Sequence, residues 1–238
     1  MSDPRAAERV VHPGGMNASR VMPTGARDHL DPFVVFERFY IEPHQGFDTH
    51  PHRGFEIISY MLEGAMAHAD SMGHESVARE GDAMRVTTGS GMRHSEMPDE
   101  GAACNGLQLW VNLPRDEKTV EPSYEDASAE ELPVRETDGA TVTTVVGEGS
   151  PLSLHTPVSY EVAALSGAWT WSVPEGWNGF AYGIDGEGTA DGEAFGGGDF
   201  IDVEGGGETA FDGEGLRVAC IAGRPHGEPI RQRGPFVE

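Results

Sequence analysis

No part of this chain keeps a helical period for long, and that constrains its fold more than any other feature. Its 33 glycines and 16 prolines punctuate short apolar or alternating stretches rich in β-branched and aromatic residues. Residues 33–41, 57–62, 84–88, 107–113, 141–146, 168–173, 180–184 and 216–222 have the length, period and turn-forming flanks of strands. A chain of many short strands must manage its sheet edges, and sandwiches or barrels do so. The fold class predicted is therefore all-β. Only the short acidic stretch 126–132 has helical character. Residues 115–139 are rich in charge and proline and separate two glycine-punctuated halves. The predicted boundaries are a first domain over 1–125, a linker over 126–138 and a second domain over 139–238.

Two short motifs in the first half carry chemistry: His50-Pro51-His52 and His94-Ser95-Glu96. In a strand, residues i and i+2 face the same side, so each motif can aim both of its polar side chains into one interior. Three imidazoles and a carboxylate suit Fe(II) or a similar first-row metal, with positions left over for water or substrate. Neither motif contains cysteine, which argues against a structural thiolate zinc site. Zinc itself stays among the candidates. A lone His-x-His is common on surfaces; two matched pairs are not.

Glu56 keeps an even offset from His52, but Gly54 between them can break the parity, so its expected place is behind the ligands. Arg53 points away from the histidines if the strand is regular; as a residue beside the site it either orients a neighbouring carboxylate or is solvated, and the sequence does not choose. Phe47 and Trp110 are the expected walls of a pocket. His68 and His74 flank Asp70 and Gly73 in a hairpin, where a turn-stabilising role is expected. His155 and His226 are isolated, so no metal site is expected in the second half.

The charge balance is extreme, with 40 acidic against 16 basic residues and a formal net charge of −24. Acid is dispersed along the chain, not gathered into a tail. Such a surface repels itself in dilute buffer, whereas molar salt screens it within about 3 Å. A salt-loving, archaeal host is the expectation. Melting temperature should then rise from low to molar salt; a thermal melt series without that rise would overturn the halophile reading. The same charge disfavours direct binding to nucleic acid. No apolar run reaches membrane-spanning length, and the opening residues MSDPRAAERV lack the apolar core of a signal peptide. No membrane contact and a cytoplasmic location are expected. Cys104 and Cys220, one in each half, do not form a disulfide framework.

The spacing around the motifs adds a resemblance. Gly46 precedes the first pair; Glu56 and Gly64 follow it; then come Gly81-Asp82, Thr87-Thr88-Gly89, Gly91 and His94. This order resembles the two consensus segments of the cupin superfamily. The words HPHRGFE (50–56), HADSMG (68–73), GDAMRVTTGSGMRHSEMP (81–98) and LQLWVNLP (107–114) resemble the pirin family within it. So do DPFVVFERF (31–39), EKTVEPSY (117–124) and IAGRPHGEPIRQRGPFVE (221–238). The likeness covers nearly the whole chain, in order.

That resemblance implies a bicupin: two tandem jelly-roll barrels with a metal site in the N-terminal barrel only. It implies His50, His52, His94 and Glu96 as ligands to one divalent metal, Fe(II) first, with Mn, Co, Ni, Cu or Zn as alternatives. It favours Glu96 over Glu56 as the carboxylate. It further implies quercetin 2,3-dioxygenase activity on O2 and a flavonol-like hydroxylated aromatic, with Glu96 as general base. The alternative it carries is a metal- or redox-sensing protein that binds a transcription factor or metabolic enzyme without turnover. A monomer is expected.

Overall fold

The computed structural model describes residues 3–12 and 16–238. Strands dominate, and the helical segments among the described residues are single 3-10 turns at Asp99–Gly101 and Arg115–Glu117. Each predicted strand lies inside an observed one to within a residue at either end. No helix of the described residues is long and apolar enough to cross a membrane.

The helical expectation for 126–132 is corrected. Ser123–Ala127 is a strand paired with Ala83–Thr87, and Ala127 is buried. Beyond it, Ser128 closes a turn, its backbone N–H and hydroxyl both donating to Glu131 Oε2 at 2.9 and 2.7 Å. A Ser-x-x-Glu box can open a helix, but Pro133 follows at once and leaves no room for one.

Two compact units make up the chain: one of Glu8–Glu131 with His226–Glu238, the other of Leu132–Pro225 with the residues up to Ala7. The expected division in simple chain order differs from this at both ends. Arg5–Ala6 adds an edge strand to Asp199–Val203, anchored by an ion pair from Arg5 to the buried Asp202. The carboxyl-terminal segment packs in the first unit, where Val237 is 1 % exposed. The expected linker is likewise folded, since Val134–Glu136 pairs with Ala140–Val146.

Each unit packs a seven-stranded sheet with a four-stranded one. In the first unit the larger sheet runs Ser123–Ala127, Ala83–Thr87, Phe55–Glu63, Cys104–Asn112, Phe33–Ile41, Asn17–Met22, Glu8–Val11. The smaller runs Phe47–His52, Met92–Pro98, Ala65–Asp70, Glu75–Arg79. All the named pairings are antiparallel. The second unit repeats the plan with Asn178–Asp185, Glu214–Gly223 and Val158–Ser166 at the centre of its larger sheet.

Burial follows position in these sheets. Phe55–Glu63 is central and buried at every residue but the last, so it reads as a continuous apolar run. Met92–Pro98 alternates, with Met92, His94, Glu96 and Pro98 inward and Arg93 exposed. A core cluster of the second unit includes Trp169, Trp171, Phe195 and Phe211. In the first unit one core cluster lies around Phe39, Met61 and Met84 and another around Phe55, Ile57 and Met92.

A buried ionic group ties the first strands of this unit together. Glu37 accepts from Arg20 Nε at 2.8 Å and lies 2.8 Å from His12 Nε2. Burial opposes its ionisation, but the His12 hydrogen bond and the Arg20 charge prevail and hold the carboxyl below its ordinary range. The stability this contributes is fully present above the unfolded value and is lost as pH falls through the lowered folded one. Glu37→Gln should therefore flatten the acid side of the stability–pH curve. An acid limb identical to wild type in denaturant titrations would refute this.

Candidate metal centre

Local pairing assembles the centre. Phe47–His52 runs antiparallel to Met92–Pro98 with His50 directly opposite His94 and His52 opposite Met92. The register then shifts, so that Glu96 faces Phe47 across an extra residue on the first strand. Such a bulge re-aims side chains at the end of a strand. His50 and His52 share a face by parity, and His94 joins them across the ladder.

One nitrogen from each of His50, His52 and His94 lies within 4.8 Å of the other two, and this group could hold a metal ion. His52 and His94 are buried, whereas His50 is half-buried. His50 Nδ1 lies 2.8 Å from the Asp48 carbonyl, which only accepts, so the ring proton sits there and Nε2 presents its lone pair inward. His94 Nε2 is 3.1 Å from that atom. Two nitrogens at about 2.1 Å from one ion and at right angles about it are separated by about 3 Å, so the spacing fits a shared metal. Burial, then the neighbouring imidazoles, pushes His52 down to about 3; burial and His50 do the same for His94. Neutral rings with free lone pairs are what a cation needs.

Glu96, 3 % exposed, brings Oε2 to 3.9 Å from His94 Nε2. Its two oxygens accept from Gln108 Nε2 at 3.2 and 3.3 Å. Gln108 also donates to Ser59 Oγ at 3.4 Å and accepts from Trp110 Nε1 at 3.0 Å. Sequence reasoning missed Gln108. The signal was a polar residue at an inward position of the otherwise apolar LQLWV strand.

Phe47 and Trp110 both reach the imidazoles. Phe47 lies 5.6 Å from the His50 ring, and Trp110 sets its ring 5.0 Å from His52 while stacking on Phe55 at 4.2 Å. Glu56 does not come near them. Gly54, at φ +88, ends the ligand strand, and Phe55–Glu63 continues in the other sheet. There Glu56 alternates against Ile57 and Ser59, which oppose Trp110 and Gln108, so it faces the far side of the sheet. It is fully buried and accepts from Thr87 Oγ1 at 2.8 Å. Arg53 turns away as well, over the Phe236 ring and 3.2 Å from Glu238.

The hairpin histidines separate in role. His74 braces the turn, its Nδ1 2.9 Å from Asp70 Oδ2, while Asp70 Oδ1 accepts from the Met72 and His74 amides at 2.8 and 3.1 Å. His68 goes beyond the turn: buried, it lies 5.4 Å from the His94 ring and stacks on Tyr124 at 4.6 Å. Of the isolated histidines, His155 is exposed and His226 lies 3.2 Å from Asn112 Nδ2.

Comparison with known proteins places this geometry. The Pirin family model matches residues 15–111, and that of the Pirin C-terminal cupin domain matches residues 161–238. Human Pirin is 40% identical over 228 residues, covering 88% of this chain and 77% of its own. Among solved structures, a quercetin 2,3-dioxygenase from Acinetobacter baumannii superposes with TM-score 0.88 at 24% identity, over 99% of this chain and 90% of that one. The bacterial pirin YhhW from Escherichia coli, in complex with nickel(II), superposes with TM-score 0.78 at 20% identity, over 94% and 98%. With both domains matched and more than a third of its residues shared with a curated relative across most of either length, the chain belongs to the pirin family.

Proposed function

We propose that this protein is a metal-dependent dioxygenase of the quercetinase type, opening a flavonol-like ring with O2. The observation that carries the reading is the convergence of three imidazoles on a point that Glu96 also approaches, with His50 only half-buried. The fold neighbour named as a quercetin 2,3-dioxygenase supports it. In this reading His50, His52, His94 and Glu96 hold one divalent metal, Fe(II) first. When bound, the metal supplies Lewis acidity toward a substrate hydroxyl and a site for O2.

The chain's own residues do the rest. Glu96 takes the hydroxyl proton as general base. Phe47 and Trp110 supply flat apolar walls against which an aromatic ring can stack. The His50 Nδ1 contact to Asp48 keeps its ring turned inward between turnovers.

Anaerobic loading with Fe(II) in high salt, followed by quercetin and air, should bleach the flavonol absorbance. Failure with every one of Fe, Mn, Co, Ni and Cu would sink the dioxygenase reading and favour a metal-sensing, partner-binding role.

A further inference from the structure

Trp110, Gln108 and Glu96 form a directed chain of hydrogen bonds whose polarity is decided at one end. An indole N–H only donates, so the atom 3.0 Å from Trp110 Nε1 must be the carbonyl oxygen of the Gln108 amide. The amide is then not free to flip. Its NH2 group faces Ser59 Oγ and both Glu96 oxygens, at 3.4, 3.2 and 3.3 Å. Two of the three residues are buried, and Trp110 is half-buried. Gln108 is 9 % exposed, Glu96 3 %, and Trp110 is pinned between Phe55 and His52.

The arrangement is costly unless it positions something. A carboxylate out of water needs partners, and a single amide nitrogen that meets both oxygens holds the carboxyl group at a set distance and keeps both oxygens turned toward it. Held there, Glu96 Oε2 lies 3.9 Å from His94 Nε2, the atom that also meets His50. We infer that Gln108, its amide locked by Trp110, is the residue that positions Glu96 toward the three imidazoles. This rests on the reading of Glu96 as a metal ligand.

The inference makes Trp110 more than a wall. Its indole N–H selects the amide orientation, and its ring holds His52 and Phe55. A flipped amide would set the Gln108 oxygen against the Glu96 oxygens and drive the carboxylate off. Gln108 and Trp110 are thus positioning residues acting through Glu96, and their loss should be felt only when Glu96 is there to be positioned.

That dependence is testable with Co(II) alone, without turnover. Affinity is measured on the full chain by chelator competition, and the visible Co(II) bands report the ligand set. Gln108→Leu should weaken Co(II) binding about tenfold, in the range found for outer-sphere partners of metal ligands. Trp110→Phe, which keeps the aromatic packing, should weaken it in the same direction by about threefold. In a Glu96→Gln background both effects should fall below twofold. Equal losses in the two backgrounds would overturn the inference, since the residues would then be supporting the pocket and not the carboxylate; so would unchanged affinity in Gln108→Leu. If Glu96→Gln by itself leaves both affinity and spectrum as in wild type, Glu96 is no ligand and the reading beneath the inference fails first.

Discussion

His50→Ala is expected to abolish specific metal binding, while His155→Ala leaves metal content at the wild-type level. The first variant deletes the half-buried member of the imidazole group, so the fold need not collapse around a cavity. What it removes is the lone pair held inward by the Asp48 carbonyl, opposite His94 across the ladder. A partner behind a ligand is worth about 10–100-fold in metal affinity, and loss of a ligand itself should cost more than 100-fold. His155 is exposed in the second unit, a core cluster of which includes tryptophan and phenylalanine. Metal analysis after loading and desalting decides the matter. Equal content in the two variants would refute the assignment outright.

The second large effect is expected at Gly54, from backbone geometry. Gly54 has φ +88, and a Cβ built there would sit 2.1 Å from the Val237 carbonyl oxygen. Gly54→Ala must either shift this backbone or expel the terminal strap, residues 235–238. The strap is held by Val237 N–H to the Arg53 carbonyl at 3.0 Å and by Arg53 N–H to the Pro235 carbonyl at 3.3 Å. Lys118, the only lysine of the chain, adds donations to the Gly54 and Val237 carbonyls at 2.7 and 3.2 Å and one to Asn112 Oδ1. A compact ammonium with three donors suits that cage of oxygens better than a guanidinium fork would.

Expelling the strap forfeits the burial of Val237, about 1.5–3 kcal/mol. The left-handed conformation costs a residue with a side chain about 1–2 kcal/mol more. A loss of about 3–4 kcal/mol, or about 10 °C in melting temperature, is the expected result. Metal affinity should fall with it, because Arg53 directly follows His52. Val237→Ala separates the two contributions, as it trims burial without straining Gly54. Calorimetry showing Gly54→Ala within about 2 °C of wild type would mean that the strap carries no such weight.

Much of this was legible in local pattern. Alternation and glycine punctuation marked the strands, because strand formation is written in a period of two and in turn residues a few positions away. The same parity brings His50 and His52 to one face, and sends His94 and Glu96 inward while Arg93 is exposed. Glu56 keeps the same even spacing and was expected behind the ligands, but it leaves the site altogether, since Gly54 ends the strand between it and His52 and the chain passes to the other sheet. The acidic stretch at 126–132 read as helical from its local composition, whereas the edge of the Ala83–Thr87 strand that captures Ser123–Ala127 is not local.

By itself the sequence determined an all-β chain, two glycine-punctuated halves, a strongly acidic composition, and His-x-His and His-x-Glu motifs confined to the first half. Each of these depends on residue type and on spacings of a few positions. Only the tertiary structure decided that His50 stands opposite His94, that Glu56 faces the far side, and that Gln108 and Trp110 stand behind Glu96. It alone decided that the two ends of the chain are exchanged between the units. These are matters of register and long-range pairing, set by which apolar faces bury together over separations that no local period encodes.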